Sequence, residues 1–168
     1  MPLPNLPSLN RPEAMTSRGQ KFPVELTGNH KEAVLGFKYV PEKTENGKKT
    51  SAHFKARVKI LTSDNSHAVG RTYSLAFWLG GEFPEYGERE RRGFIAACMG
   101  EQSDDPAFDA DKAQQTLVDL DESNGFDKED CIIFHTRTSK NKDKAVLKNG
   151  VASVETKTYA NDYFNPIT

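Results

Sequence analysis

Cysteine and long apolar runs are what this 168-residue chain has least of, and each scarcity removes a class of protein. Cys98 and Cys131 are the only cysteines, too few for a disulfide framework, and neither belongs to a Cys-x-x-Cys pair. Both are read as buried thiols. The longest uninterrupted apolar run, Phe94 to Met99, has six residues, against the roughly twenty that a membrane helix needs. No membrane partner is expected. The start MPLPNLPSLNRPEA has four prolines and no basic segment leading into an apolar one, so a secretory signal is not expected and the cytoplasm is the expected location.

Catalytic and metal signatures are missing too. There is no phosphate-cradling Gly loop and no Ser-His or Cys-His pair with local support. His30, His53, His67 and His135 have no ligand spacing with one another or with the cysteines. Asp119, Asp121, Ser123 and the run Asp127 to Asp130 span the length of a calcium loop, but Gly125 falls one position late and Asp130 stands where a bidentate Glu belongs. Asp104, Asp105, Asp109 and Asp111 suit a helix start better than a metal cage. No catalytic residue, cofactor or metal is assigned, and a non-enzymatic role is expected.

What the chain does have is a wet but foldable composition: 36% hydrophobic, 28% charged, with ten Phe, five Tyr and one Trp. That suits one domain with a modest core. Residues 1–20, rich in Pro, Asn and Ser, read as an extended arm that is disordered or laid over a neighbour, and residues 21–168 as a single domain. Phe22–Leu26 is a candidate leading strand. Ala33–Val40 places Ala33, Leu35, Phe37 and Tyr39 on one face. Phe54, Ala56, Val58 and Ile60 alternate with His53, Lys55, Arg57 and Lys59, and Tyr73, Leu75, Phe77 and Leu79 share a side with Trp78 opposite. Asn46-Gly47 marks a hairpin turn. Pro84 to Gly100 predicts an amphipathic helix, and a second runs from an Asp109 cap to Asn124-Gly125. Strand pattern resumes over Cys131–Ser139 and, after a Lys-rich loop ending in Asn149-Gly150, over Val151–Tyr159.

Strand, strand, strand, helix, strand, strand is the element order of the OB-fold. The predicted fold is therefore mainly β with α: a five-stranded Greek-key barrel of OB type, with an acidic helical insertion at about residues 82–130 between strands 3 and 4. Charge agrees with that division. Residues 1–79 carry 12 basic and 6 acidic side chains, residues 80–130 carry 5 and 15, and residues 131–168 carry 6 and 3. A net charge of −1 thus hides a +9 barrel and a −10 insertion.

An OB barrel binds oligonucleotides on strands 2 and 3 and through its 1–2 and 4–5 loops. Those places hold Lys43, Lys48 and Lys49 in the 1–2 loop, and Lys55, Arg57 and Lys59 on the polar face of strand 2. Lys140, Lys142, Lys144 and Lys148 lie in the 4–5 loop, with Arg137 near the end of strand 4. Cations that neutralise phosphates and rings that stack on bases are what a single-strand binder needs. Trp78 is the first stacking candidate, with the alternative that it is buried in the core or beneath the N-terminal arm; His53 and His135 are weaker contacts to the same groove. Tyr159, Tyr163 and Phe164 are ranked first as barrel-covering residues.

The runs HFKARVKILTSDNSHAVGRTYSLAFWL, RERRGFIAACMG and FHTRTSKNKDK resemble small OB-fold single-stranded-DNA-binding proteins of the bacteriophage type. The resemblance implies coating of exposed single-stranded DNA, with RNA as a further ligand, during replication, recombination or repair, in the host cytoplasm if the protein is phage-encoded. It maps the family's groove onto Lys55, Arg57, Lys59, Trp78, Arg137 and the two Lys-rich loops, and adds replication or recombination proteins as partners. Self-association is left open. Many such proteins end in an acidic tail, whereas this chain ends ANDYFNPIT. The acidic stretch Glu101–Asp130 is expected to replace that tail or to shield the groove, so neutralising Asp104, Asp105, Asp109 and Asp111 should tighten DNA binding. The runner-up is a protein-interaction module using the Pro-rich arm or the aromatic C-terminus; a third reading is an oligosaccharide or nucleotide binder.

Overall fold

The sharpest sequence pattern, the alternation around Phe54, becomes the long central strand of a computed structural model that describes residues 2–10, 26–80 and 84–167. Side chains are described for all of these except 140–142, 144 and 157–160. Gly28–Val40 (β1) pairs antiparallel with His53–Ser63 (β4), and between them Lys43–Glu45 (β2) and Lys48–Thr50 (β3) form a small hairpin. Asn46 and Gly47 both take positive φ at its turn, as a tight two-residue hairpin requires. Thr72–Trp78 (β5) follows, then helices Pro84–Cys98 (α1) and Ala110–Glu122 (α2), then Ile132–Lys148 (β6) and Val151–Pro166 (β7). The five long strands form one antiparallel sheet in the order β5-β4-β1-β6-β7.

On β4, Phe54, Ala56, Val58 and Ile60 are buried while Lys55 and Arg57 are exposed. On β1 the expected grouping of Leu35 with Ala33 and Phe37 does not hold. Val34 faces Val58 and Gly36 faces Arg57, so Leu35 is an extra residue at a bulge and Val34 takes its place in the core. The proposed leading strand falls on Phe22 to Glu25, outside the described residues; Leu26 lies in a bend before β1.

Both helices end as their sequences indicate. Gly100, at positive φ, closes α1 with its N–H on the Ala97 carbonyl and the next N–H, of Glu101, on the Ala96 carbonyl. Asp109 caps α2 by accepting from the Lys112 N–H, and Asn124, again at positive φ, closes it the same way. α1 is not simply amphipathic: Gly87 through Ala97 are all buried, charged residues included.

The sheet is not closed into a barrel. Among the described residues β5 and β7 make no ladder with each other, and α1 lies against both. Paired strands stand about 4.8 Å apart, whereas Phe94 of α1 packs with ring centroids 5.5 Å from Phe77 of β5 and 5.3 Å from Phe164 of β7. The two edges meet through side chains, Phe77 to Phe164 at 6.2 Å. A helix bearing Phe94 fills the space where a closing ladder would run. Phe37 and Phe54 complete the ring cluster.

One further expectation changes. The Lys-rich "loop" is strand: β6 leaves β1 after Arg137 and continues, paired only with β7, to a turn in which Asn149 and Gly150 have positive φ. Where its side chains are described, both faces of this ribbon meet solvent, so no hydrophobic period marks it as a strand. Residues 2–10 of the arm lie against the domain's own core. Leu9 is fully buried in the core with Leu3 and Leu6 packed beside it. Asp111 accepts from the Leu9 N–H and the Ser8 hydroxyl, and Asn10 Oδ1 accepts from the first N–H of α2.

Candidate nucleic-acid interface

Cross-strand partners share a face, so the pairs His53–Trp78, Lys55–Ala76, Arg57–Ser74 and Lys59–Thr72 define the outer surface of β4 and β5. On the other side of β4 the pairs Lys38–Lys55 and Gly36–Arg57 extend this face onto β1. Lys55 and Arg57 have no acidic partner among the described residues. Lys59 reaches Glu129 at 3.6 Å and Lys38 reaches Asp121 at 3.8 Å.

Trp78 stands at the end of this row. It is 39% exposed, and its ring centroid lies 4.5 Å from that of His53. His53 is thereby covered, and its Nδ1 lies 3.0 Å from the Ser51 carbonyl oxygen. Lys48 and Lys49 are exposed on β3, beyond the end of β1, and Lys49 pairs locally with Glu42 at 3.0 Å. Lys140, Lys142, Lys144 and Lys148 lie on the β6 half of the ribbon, which leaves from the opposite end of β1. Lys148 pairs with Glu155 at 2.8 Å.

His135 and Arg137 do not belong to this surface. His135 is wholly buried and Arg137 nearly so. His135 Nδ1 lies 2.9 Å from Glu32 Oε1 and Nε2 lies 2.6 Å from Asp162 Oδ1, so the ring donates to a carboxylate on each side. Arg137 Nε donates to the same Asp162 oxygen at 2.8 Å, and Tyr73 donates its hydroxyl to Glu32. Phe164 lies on the His135 ring with centroids 4.5 Å apart. The physical reason is register: His135 and Arg137 share the inward face of β6 with the core residue Ile133. Burial alone would lower the His135 pKa, but the hydrogen bonds the ring donates to Asp162 and Glu32, with their charges, outweigh it and hold the ring above its ordinary value. Burial works the other way on Asp162, and His135 with Arg137 more than compensate, holding its carboxyl below the usual range. Burial and the Glu32 charge push the Tyr73 phenol far up. This network is closed off from a strand lying on the outer face.

No protein-family model, curated protein or solved structure matches this chain. What it can bind must therefore be read from its own geometry.

A recess missed by motif reading lies beside the basic row. Lys38, Lys55 and Arg57 form one side, Asp121, Asn124, Phe126 and Asp127 the other, around a cavity of 240 Å³. Its signal in the sequence was the cluster that resembled a calcium loop: the same closely spaced polar residues follow α2 because they close the helix. Among the described residues no group of three or more His, Cys, Asp or Glu side chains could hold a metal ion. None of the described helices is long and apolar enough to cross a membrane.

Proposed function

We propose that this protein binds single-stranded DNA, largely independently of sequence, on the outer face of β1, β4 and β5. The observation that carries this reading is the row of Lys55 and Arg57, cations with no ion-pair partner among the described residues, on an exposed sheet continuing into the exposed Trp78. Phosphate neutralisation and ring stacking are the two contributions a sequence-tolerant single-strand binder combines. The strand order supports an OB-type lineage: counted along the chain, the long strands run third, second, first, fourth, fifth, with the helices between third and fourth. A Greek-key barrel opened between its third and fifth strands has this order, and we read the fold as a partly open OB type. Coating of exposed strands during replication, recombination or repair is the role such binding would serve, in a phage-type setting with replication or recombination proteins as partners.

Fluorescence anisotropy with a labelled oligo-dT at two salt concentrations tests the reading, together with Trp78 emission. Affinity should fall steeply with salt, and emission should be quenched on binding. Duplex and RNA of the same length report the preference among nucleic acids. Salt-insensitive or absent binding would overturn the proposal.

Protein docking is a second reading with one observation in its favour. Leu147 and Val154 are 75% and 68% exposed near the end of the β6–β7 ribbon, where Leu147 faces Ala152 and Val154 faces Ala145 across the pair. Leu147→Ser should abolish any self-association seen by light scattering and leave DNA affinity unchanged if the ribbon serves proteins alone.

A further inference from the structure

Asp121 is a carboxylate in an unusual position. It sits at the last turn of α2, directly above Gly36 on the outer face of β1, with its side chain 11% exposed. A carboxylate has about four acceptor sites, yet among the described residues its one polar side-chain partner is the Lys38 ammonium at 3.8 Å. It opens onto the 240 Å³ recess together with Asn124 and Asp127, while the buried Phe126 and half-buried Leu35 supply apolar lining. Lys55 and Arg57 stand on the other side. Gly36 keeps the space clear: a Cβ at that position would lie 2.9 Å from Asp121 Oδ1. The recess is smaller than the roughly 300 Å³ at which ordinary small-molecule pockets begin, a size for one base rather than for a whole ligand.

We infer that this recess receives a single nucleobase of the bound strand and favours a base that carries an exocyclic amino group. The inference rests on the single-strand reading above. The cations that line one wall of the recess can reach the phosphates at its mouth, and Asp121, Asn124 and Asp127 on the other wall offer acceptors to the base edge. The cytosine N4 amino group donates to a carboxylate such as Asp121. Uracil presents a carbonyl oxygen at the same ring position, which Asp121 would repel, so the contact cytosine makes with this carboxylate is lost even where the bordering Lys38, Lys55, Arg57 or Asn124 offers a donor. The pocket is thus one point of selectivity within an otherwise tolerant groove.

Oligo-dC and oligo-dU of equal length, whose bases differ at ring position 4 and in the proton that uracil carries on N3, make the test. Anisotropy titrations at neutral pH should show the wild type preferring dC by about fivefold or more, the lower end of what one good base contact supplies. Asp121→Ala should reduce the ratio toward one, and Gly36→Val, which fills the recess, should do the same. Asp119→Ala, which removes an exposed acid from the same helix, should keep the ratio. A ratio of two affinities cancels any uniform change in charge. If Gly36→Val does not fold by circular dichroism, Asp127→Ala replaces it. Wild type that binds neither oligonucleotide overturns the single-strand reading itself. Equal binding of the two, or a dC preference that survives in Asp121→Ala, overturns the base pocket and leaves that reading standing.

Discussion

Glu90 brings a carboxylate into the contact between α1 and β7, where only part of it is satisfied. Among the described residues Oε1 has no hydrogen-bond partner, and burial, reinforced by the Asp162 charge, pushes its pKa well above the ordinary carboxylate value. The unfolded chain therefore releases this proton first, and stability falls as pH rises from the ordinary Glu value through the raised one. Glu90→Gln removes that loss. Urea unfolding at about pH 5 and about pH 8 should show the variant gaining on wild type by about 1 kcal/mol or more at the higher pH. The neighbouring network titrates at both ends. His135 is held protonated above its usual value, so its contribution is complete below about pH 6.5 and is lost as pH rises through the raised value. Asp162 is held ionised, so its contribution is present above about pH 3.9 and is lost as pH falls through the lowered value. Asp162→Asn leaves His135 and Arg137 buried without their shared carboxylate and should cost about 3–5 kcal/mol at neutral pH by the same measurement. Sequence placed His135 and Arg137 in a groove because they are cationic. Their spacing of two and four residues from Ile133 already put them on the inward face, but the acids that pair with them, Glu32 and Asp162, come from distant strands that no local pattern joins.

Elements differ in how far the sequence discloses them. β4 was legible because one face is core and the other is water, which writes a period of two directly into Phe54 to Ile60. The distal part of β6 was not, because a ribbon solvated on both faces has no such requirement. Its turn carries the specification instead. Gly150→Ala places a Cβ at φ 78° and should cost about 1 kcal/mol of ribbon stability. Hydrogen exchange should then speed up in residues 140–160 alone, with the global melting temperature almost unmoved, since the ribbon contributes little to the core. α1 was legible in its ends, Pro84 and Gly100, and not in its middle. Arg92 looks like one cation in a charged run, yet it donates from Nε to the Ser103 carbonyl at 2.8 Å and from Nη1 to the Leu9 carbonyl at 3.0 Å and Asn10 Oδ1 at 2.9 Å. Arg92→Leu should strand these acceptors and release the arm. Limited proteolysis should then cut within residues 2–10 in the variant and spare the wild type.

At the scale of the whole molecule, the acidic segment is not one shield. Asp109 and Asp111 are engaged by the N-terminal arm and by the start of α2, and the Asp105 side chain accepts from the Ala107 N–H. Neutralising that group would loosen the arm instead of freeing a groove. The acids that border the basic face are Asp121 and Glu129, through Lys38 and Lys59. Glu129→Gln should therefore tighten oligo-dT binding about two- to fivefold at low salt, the range of an exposed ion pair, and the gain should vanish at high salt, which anisotropy titrations at two ionic strengths would check.

Sequence by itself determined the periods, the caps and the turns: the alternation of β4, the Asp109 cap, the Gly100 and Asn124 terminations and the Asn46-Gly47 hairpin. These are local consequences of which conformations a residue tolerates and which face must leave water. Tertiary structure alone decided that α1 fills the gap between β5 and β7, that His135 and Arg137 turn inward to Asp162, and that Asp121 stands over Gly36 beside Lys55 and Arg57. Each of those depends on pairing between segments far apart in the chain, where burial, charge balance and space are settled jointly and no single stretch of residues carries the answer.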